Sequence, residues 1–326
     1  MPTIYKSTDA SAPVLTGQVN SLVNVLDKCL VAGYGSKTAA GWTKPYTGTN
    51  QAVFLQGGSG VLKYFQIDDN GPGAGLAKEA RIWGFETMTA YNTGTGQFPA
   101  AATARVLRKS ATADATARDW IVAADGKTAH VFISTGDKAA VYFSFSFGDL
   151  YSWYPGDLWK GYIVARSTEN SASTSVEWLY WWQTNALTGL PGMTLQRSYT
   201  GFGGFINATC GNAGGNGLLC FAVNAGSTNG VGSGGVSFPN PPDGDLLLHP
   251  LRIFQTPSAP GILRGRYRGL YHQMHTVASF NDQDTFSGIN EFAGKTFLMI
   301  KSVGNPFGPP EVSIAVVETS TWDESA

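Results

Sequence analysis

Residues 142–159, YFSFSFGDLYSWYPGDLW, join a strand to an aromatic loop in one uninterrupted run. Phe143, Phe145 and Phe147 alternate with Tyr142, Ser144 and Ser146, the period of two that a half-buried strand requires. Just after it, Gly148-Asp149-Leu150-Tyr151 is echoed by Gly156-Asp157-Leu158-Trp159, with Trp153, Tyr154 and Pro155 between. A solvated turn needs far less ring area. The loop is therefore expected to be covered, either by the rest of the fold or by another chain.

Short strands are expected on both sides of this run. Trp120–Ala123 and Thr128–Ser134 flank Ala124-Asp125-Gly126-Lys127, where Asp-Gly is expected to supply the positive φ angles of a tight hairpin turn. Val61–Ile67 and Ala80–Met88 read as strands on either side of a Gly/Asp/Asn loop, a candidate long-looped hairpin. Further strands are expected at Gly161–Arg166, Val176–Trp182, Leu246–Phe254, Ile262–Tyr271, Thr296–Lys301 and Val312–Val317. Thr89–Ala104, a Thr/Gly/Ala stretch containing Phe98-Pro99, reads as an ordered surface loop whose length argues for a functional or interfacial role.

One convincing helix spans Gln18–Val31, where Val19, Leu22, Val23, Leu26, Cys29 and Leu30 recur at the spacing of a single buried face. Thr16 is the candidate N-cap and Gly33 the C-terminal stop. The helix must dock, on the β domain or on a neighbouring subunit. A dozen strands with one helix predict a mainly β fold, a sandwich or barrel-like arrangement with long Gly-rich loops. Residues 1–35 form an N-terminal arm and helix, 36–190 a β domain, and 191–326 a second β region or a continuation, with a Gly/Asn-rich insertion at 200–240.

Composition narrows the function classes. A chain of 326 residues buries about 75% of its unfolded surface and needs no metal or disulfide to hold a core. Charged residues are 14% of the chain, against about 25% usually, and glycines number 41. The net charge of −1 provides no field for nucleic acid or anionic lipid, so neither is an expected partner. The opening MPTIYKSTDASA has no apolar signal-peptide core, and no run approaches the roughly 18 apolar residues of a membrane span. Synthesis in a cytosol is expected. Cys29 sits on the helical stripe as a small core residue; Cys210 and Cys220 flank a Gly/Asn loop and could pair if oxidised.

Candidate chemistry is sparse. His272 and His275, with Asp282 and Asp284 downstream, have metal-like spacing, but residues three apart on a strand face opposite ways. Hydrogen-bonded surface or interface histidines are the simpler reading. Asp149 and Asp157 lie among rings of the kind sugars stack on, and a glycoside-cleaving pair needs carboxyls about 5–10 Å apart. The simpler alternative makes each a turn residue bonded to nearby backbone N–H groups. The glycine clusters match no phosphate-binding fingerprint, and no Gly-x-Ser-x-Gly elbow is present. No catalytic residue, metal or cofactor is expected. Arg264, Arg266 and Arg268 alternate along a strand, which would set three guanidinium forks on one face for carboxylates of this chain or of a neighbouring subunit. Trp178–Trp182 reads as a buried strand, an interface anchor or a sugar-stacking surface.

Several stretches together are worded like a known group: YKSTDASAPVLTG, GYGSKTAAGWTKPYTGTNQAVF, DDNGPG, ARIWGFETMTAYNTGTGQFP, FGDLYSWYPGD and ILRGRYRGLYHQMH. In these the chain resembles tailed-bacteriophage virion structural proteins. The resemblance implies a non-enzymatic particle component of the tail, baseplate or an appendage, with head decoration as the alternative. It implies partners that are other copies of the chain and other virion proteins, synthesis in the host cytoplasm and residence in the virion. It carries no catalytic residue. The expected contact residues are Arg264, Arg266, Arg268, Tyr151, Trp153, Tyr154 and Trp159. A different class, a protein that binds or degrades host surface glycans, would use Trp153, Tyr154 and Trp159 as stacking platforms.

Overall fold

The computed structural model describes residues 1–70, 78–99, 104–136, 142–165, 192–201, 206–210, 248–255, 262–273, 280–301 and 313–322. The expected strand Val176–Trp182, most of the 200–240 insertion, Cys220 and His275 lie outside the described residues. In chain order the strands are β1 (Thr3–Lys6), β2 (Thr43–Gly48), β3 (Gln51–Leu55), β4 (Tyr64–Asp68), β5 (Glu79–Phe85), β6 (Thr87–Ala90) and β7 (Thr93–Thr95). Next come β8 (Arg105–Arg108), β9 (Trp120–Ala124), β10 (Thr128–Ser134), β11 (Tyr142–Asp149), β12 (Tyr151–Ser152) and β13 (Gly161–Ala165). The last are β14 (Gly192–Leu195), β15 (Ile206–Cys210), β16 (Leu248–Gln255), β17 (Ile262–Gln273), β18 (Thr285–Ser287), β19 (Thr296–Lys301) and β20 (Ser313–Glu318).

The fold is mainly β, and its strands pair antiparallel. The largest sheet runs β1-β9-β10-β11-β13-β14-β15-β16-β17-β20-β19-β18, with β12 joined to β17, so it hydrogen-bonds strands from the N-terminal arm, the middle of the chain and its C-terminal part. A second sheet has the order β2-β3-β4-β5-β8, and β6 and β7 form a small hairpin. The paired β4 and β5 bear out the long-looped hairpin, although β4 starts at Tyr64 rather than Val61. The stretch Thr89–Ala104 is less superficial than its composition implies. It holds β7, and Phe98 is fully buried, exchanging two backbone hydrogen bonds with Gly84, where a side chain would strike the Phe98 ring.

Residues from both larger sheets meet in one core: Phe54, Phe65, Ile67 and Ile82 from the second sheet, Val122, Val131, Phe145, Phe147 and Ile163 from the first. A second core forms on the opposite face of β9, β10, β11 and β13, where Ile121, Phe132, Tyr162 and Val164 meet Leu195, Ile253, Tyr267, Leu298 and Val317. β11 is consequently buried along its whole length, not half-buried as its alternation suggests. The Phe face enters the first core, each ring contributing roughly 1.5–3 kcal/mol by leaving water. The Ser face enters the second, because the main sheet returns its later strands over it.

Polar groups on that second face are satisfied in a chain. The Arg268 carbonyl can only accept, so Nε2–H of His130 donates to it at 2.8 Å, and Nδ1 accepts from the Ser146 hydroxyl at 2.7 Å. Ser146 Oγ in turn accepts from the Tyr162 hydroxyl at 2.5 Å. His130 is fully buried, and desolvation pushes its pKa down to about 3, keeping the ring neutral.

The helix α1 covers Ser21–Asp27 and continues as a π turn over Lys28–Ala32, shorter at its start than the apolar stripe predicts. Leu22, Leu26, Cys29 and Leu30 pack into the first core, so the helix docks on the β layers of its own chain, and Cys29 is a buried free thiol. Gly33 ends it at φ 76°. Thr16 does not cap it: its hydroxyl accepts from Gln18 N–H, and Asn20 at φ 66° is the capping residue. The orphan N–H groups of Leu22 and Val23 are satisfied instead by Asp69 Oδ2, at 2.9 and 3.3 Å, from the end of the second sheet. Lys109 pairs with the same carboxylate and with the Gln18 carbonyl. Burial pushes Asp69 up to about 6 against the pull of Lys109 and the two N–H bonds. Among the described residues no helix is long and apolar enough to cross a membrane.

The β9–β10 hairpin forms, but its turn works differently from the expected one. Neither Asp125 nor Gly126 has a positive φ. Asp125 Oδ1 instead accepts from the N–H groups of Lys127 and Thr128 at 2.8 and 2.9 Å, an Asx turn closed by Asp125 N–H to the Thr128 carbonyl at 3.0 Å.

Candidate functional site

The aromatic loop after β11 is held at its base, along one side and through its centre. At the base, Leu150 N–H donates to the Lys160 carbonyl at 2.9 Å. Asp149 is buried beneath, 3.2 Å from Lys63 Nζ and 3.0 Å from Gln56 Nε2, with Lys160 Nζ at 3.9 Å. Lys63 is itself buried, and desolvation lowers its pKa despite Asp149. Along one side, β12 pairs with β17, Tyr151 opposite Arg266 and Ser152 opposite Gly265, and Trp153 N–H donates to the Arg264 carbonyl at 3.0 Å.

The centre is an ion pair. Arg264, fully buried, presents a two-pronged fork to Asp157, Nε to Oδ2 and Nη2 to Oδ1, each at 2.8 Å. Its remaining hydrogens reach Gln255 Oε1 at 2.7 Å and the carbonyls of Arg197 and Trp159 at 2.9 and 3.0 Å. Asp157 also accepts from the Ser152 hydroxyl at 2.6 Å and from Trp159 N–H at 3.0 Å. Burial pulls the Arg264 guanidinium below its usual range, and Asp157 opposes the shift. The loop is thus pinned to β17 rather than free to adapt.

With its backbone and acids turned inward, the loop leaves rings and an alkyl chain outside. Trp153 is 40% and Leu158 49% exposed. Tyr154 stacks on Tyr199 with centroids 4.0 Å apart and planes 9° off parallel. The Trp159 ring packs against Gly201, where a Cβ would meet it at 2.4 Å. The guanidinium of Arg252 stands 5.9 Å from the centre of the Trp153 ring, and that of Arg266 stands 4.9 Å from the Tyr151 ring. Arg252 and Arg266 are direct cross-strand partners on β16 and β17. Arg252 had no signal of its own in the sequence: it is one cation inside the apolar run LHPLRIF, and only the register brings it to this face.

The three arginines of β17 do not form one row. Between the Arg252–Arg266 and Pro250–Tyr271 pairs the register slips, two steps along β16 matching five along β17. Tyr267 and Leu270, three apart, consequently share the second core. Arg268 sits within the slipped segment, buried, paired with Asp125 at 2.8 Å and bonded to the Trp322 carbonyl at 3.0 Å. Arg264 and Arg268 therefore take the intrachain branch of the expected pairing, and Arg266 remains at the surface.

Asp149 and Asp157 are 1% and 9% exposed. Each is engaged by a cation of the chain, so neither faces solvent as an open general acid or base. Asp157 accepts a backbone N–H two residues on, as a turn residue does, whereas Asp149 is an ion-pair residue. Of the metal-like set, Asp282 accepts from the Tyr142 hydroxyl at 2.6 Å and from Lys301 N–H at 2.9 Å, and Asp284 accepts from Asn281 N–H at 2.7 Å. Among the described residues no cluster of metal-ligating side chains is present. No protein-family model matches the chain, and no curated protein matches it.

Proposed function

We propose that this chain is a non-enzymatic structural component of a tailed-bacteriophage virion, in the tail, the baseplate or an appendage, acting through contacts with its own copies and other virion proteins. Its two larger sheets, meeting across one core while the main sheet encloses a second, are read as a sandwich-type scaffold for that role. The observation that carries the proposal is the segment 149–160, whose two acids, Asp149 and Asp157, are consumed in internal ion pairs while Trp153 and Leu158 stay exposed on a braced backbone. A rigid aromatic projection suits recognition, since little side-chain entropy is lost on contact. Head decoration is the alternative location. Copy counting by mass spectrometry of separated heads and tails tests both. A fixed small copy number in tails supports the proposal, abundance on heads selects decoration, and absence from both fractions overturns it.

A second reading, recognition of a host surface glycan, is favoured by the open face of Trp153. Exposed indole rings on a fixed loop suit the C–H faces of sugars, whose hydroxyls need polar neighbours such as arginine. This reading is compatible with a place in the virion. Binding of oligosaccharides by the native protein, lost in Trp153→Ala, tests it.

A further inference from the structure

Asp69 and Lys109 face each other at one end of the second sheet. Asp69 follows β4 and Lys109 follows β8, the strands on either side of β5, and both side chains are fully buried. Lys109 Nζ meets Asp69 Oδ1 and also donates to the Gln18 carbonyl and, at 3.3 Å, to Ser21 Oγ. On the other oxygen, Oδ2 accepts from the N–H groups of Leu22 and Val23 at 2.9 and 3.3 Å. Backbone bonds fix both residues in place. Asp69 N–H donates to the Asn50 carbonyl at 3.0 Å, the Asp69 carbonyl accepts from Asn20 N–H at 3.2 Å, and Lys109 N–H donates to the Lys78 carbonyl at 2.9 Å. An amine, a carboxyl group and two N–H donors are thus held in one arrangement, the condition under which an intramolecular reaction is fast.

We propose that Lys109 and Asp69 condense into an intramolecular isopeptide bond, a covalent modification that the folded chain performs on itself and that ties the end of β4 to the end of β8. One proton passes from Nζ to Oδ1, leaving a neutral amine beside a neutral acid. The nitrogen lone pair attacks Cγ, and negative charge develops on Oδ2, where the Leu22 and Val23 N–H groups stand as oxyanion donors. The Nζ–Cγ bond forms, the Cγ–Oδ1 bond breaks, and Oδ1 departs as water with a second proton from Nζ. The step balances within the pair and needs no co-reactant.

Two charges in a protein interior are costly even when paired, and the amide carries none. Burial pushes Asp69 up to about 6 and lowers Lys109 below the ordinary lysine range, each toward the neutral form that reacts. The surrounding hydrogen bonds outlast the reaction: the amide oxygen keeps Leu22 and Val23 N–H, and the remaining N–H keeps the Gln18 carbonyl. The other buried lysine–aspartate pair is built differently. Asp149 is bonded by the Gln56 side chain and faced by Lys63 and Lys160, with no backbone N–H on either carboxyl oxygen among the described residues. Arg264 and Arg268 are excluded as nucleophiles, because a guanidinium does not give up its proton. The two condensing residues lie forty positions apart, so the bond closes β5, the β6–β7 hairpin and β8 into a covalent ring. Such a ring limits how far the second sheet opens when the chain unfolds. The inference does not depend on the virion role.

Intact-mass measurement of the purified full chain, fresh and after prolonged incubation, followed by tryptic digestion of the denatured protein, tests the proposal. The chain is expected one water lighter than its sequence mass. Trypsin then no longer cuts after Lys109, and residues 64–78 and 109–118 emerge as one branched peptide with the branch on Asp69. Lys109→Arg keeps the cation but cannot condense, and it is expected at full mass; the native chain decides the matter even if this variant fails to fold. A native chain that keeps its full mass through the incubation overturns the bond. So does a loss of water that persists in Lys109→Arg, or one in which the two peptides separate, as a succinimide at Asp125-Gly126 would give. A branch joining Lys63 to Asp149 instead overturns the assignment to Asp69.

Discussion

Arg264 and Arg266 stand two residues apart on one strand and are used in opposite ways. Arg264 is fully buried and divides its donors among Asp157, Gln255 and two carbonyls. Arg266 lies over Tyr151 at the surface with one long hydrogen bond to another side chain. Residue type is identical, so it does not set the role. The register slips at Arg264, between the Ile253–Gly265 and Phe254–Leu263 pairs, so the two arginines do not follow one regular alternation, and the loop 153–159 folds its Asp157 over Arg264 and leaves Arg266 beside the loop's aromatic rim. Arg264 is structural because the loop delivers Asp157 to it, whereas Arg266 has no acid delivered to it among the described residues.

The largest expected effect breaks the inner half of that comparison. Arg264→Ala leaves Asp157 buried without its cation, and removal of one partner from a buried pair costs about 3–5 kcal/mol. Urea unfolding measures it. A loss under about 1 kcal/mol would mean that β12 pairing and the Tyr154–Tyr199 stack hold the loop without the ion pair.

The polar side of β11 sharpens the comparison through pH, because His130 is another buried basic group, one held neutral. Its folded pKa of about 3 lies below its ordinary 6.5. The stability it contributes is therefore fully present above 6.5 and is lost as pH falls toward 3. By linkage the loss is on the order of 3 kcal/mol by pH 4. Asp69 has the opposite sign: raised from 3.8 to about 6, its contribution is present below 3.8 and lost as pH rises through 6. The His130 share is read as the difference in pH slope between the native chain and His130→Gln. Parallel slopes between pH 6.5 and 4 would show that His130 is not the buried neutral base of this core.

What could be read from the sequence was local. The alternation of Phe143, Phe145 and Phe147 specified a strand and the face that meets the first core. Burial of Ser144 and Ser146 was hidden, because it depends on strands more than forty residues further along that fold back over β11. The apolar stripe located the helix but not its cap, which comes from Asp69 just past the end of β4. Aromatic density marked Tyr151, Trp153, Tyr154 and Trp159 as one loop. Arg252, the second cation of the face, was invisible because only a cross-strand register brings it there. The expected single row of arginines failed for a related reason: the slips at Arg264 and between Arg266 and Tyr271 break the alternation on which the row depended.

A smaller effect concerns Arg268, the third arginine. Its partner Asp125 also accepts from Lys127 and Thr128 N–H in the hairpin turn, so one carboxylate joins the turn to β17. Asp125→Ala removes both functions at a partly exposed site and is expected to cost about 1–3 kcal/mol. Asp125→Asn retains an acceptor for the turn while removing the charge. A loss in the Asn variant close to that in Ala would assign the effect to Arg268; a near-native Asn variant would assign it to the turn.

The smallest expected effect is the one that best separates the two arginines. Arg266→Gln removes a guanidinium that has no acid partner among the described residues and relieves its repulsion with Arg252 across the strands. The change in stability should stay within about 0.5 kcal/mol, with either sign, because the loss of the Tyr151 contact opposes the relief. Thermal unfolding at low and high salt measures it. If the cross-strand repulsion is real, the variant gains relative to the native chain at low salt, and the gain shrinks as ions screen the pair. A loss above about 2 kcal/mol would place Arg266 with Arg264 among the residues that hold the fold.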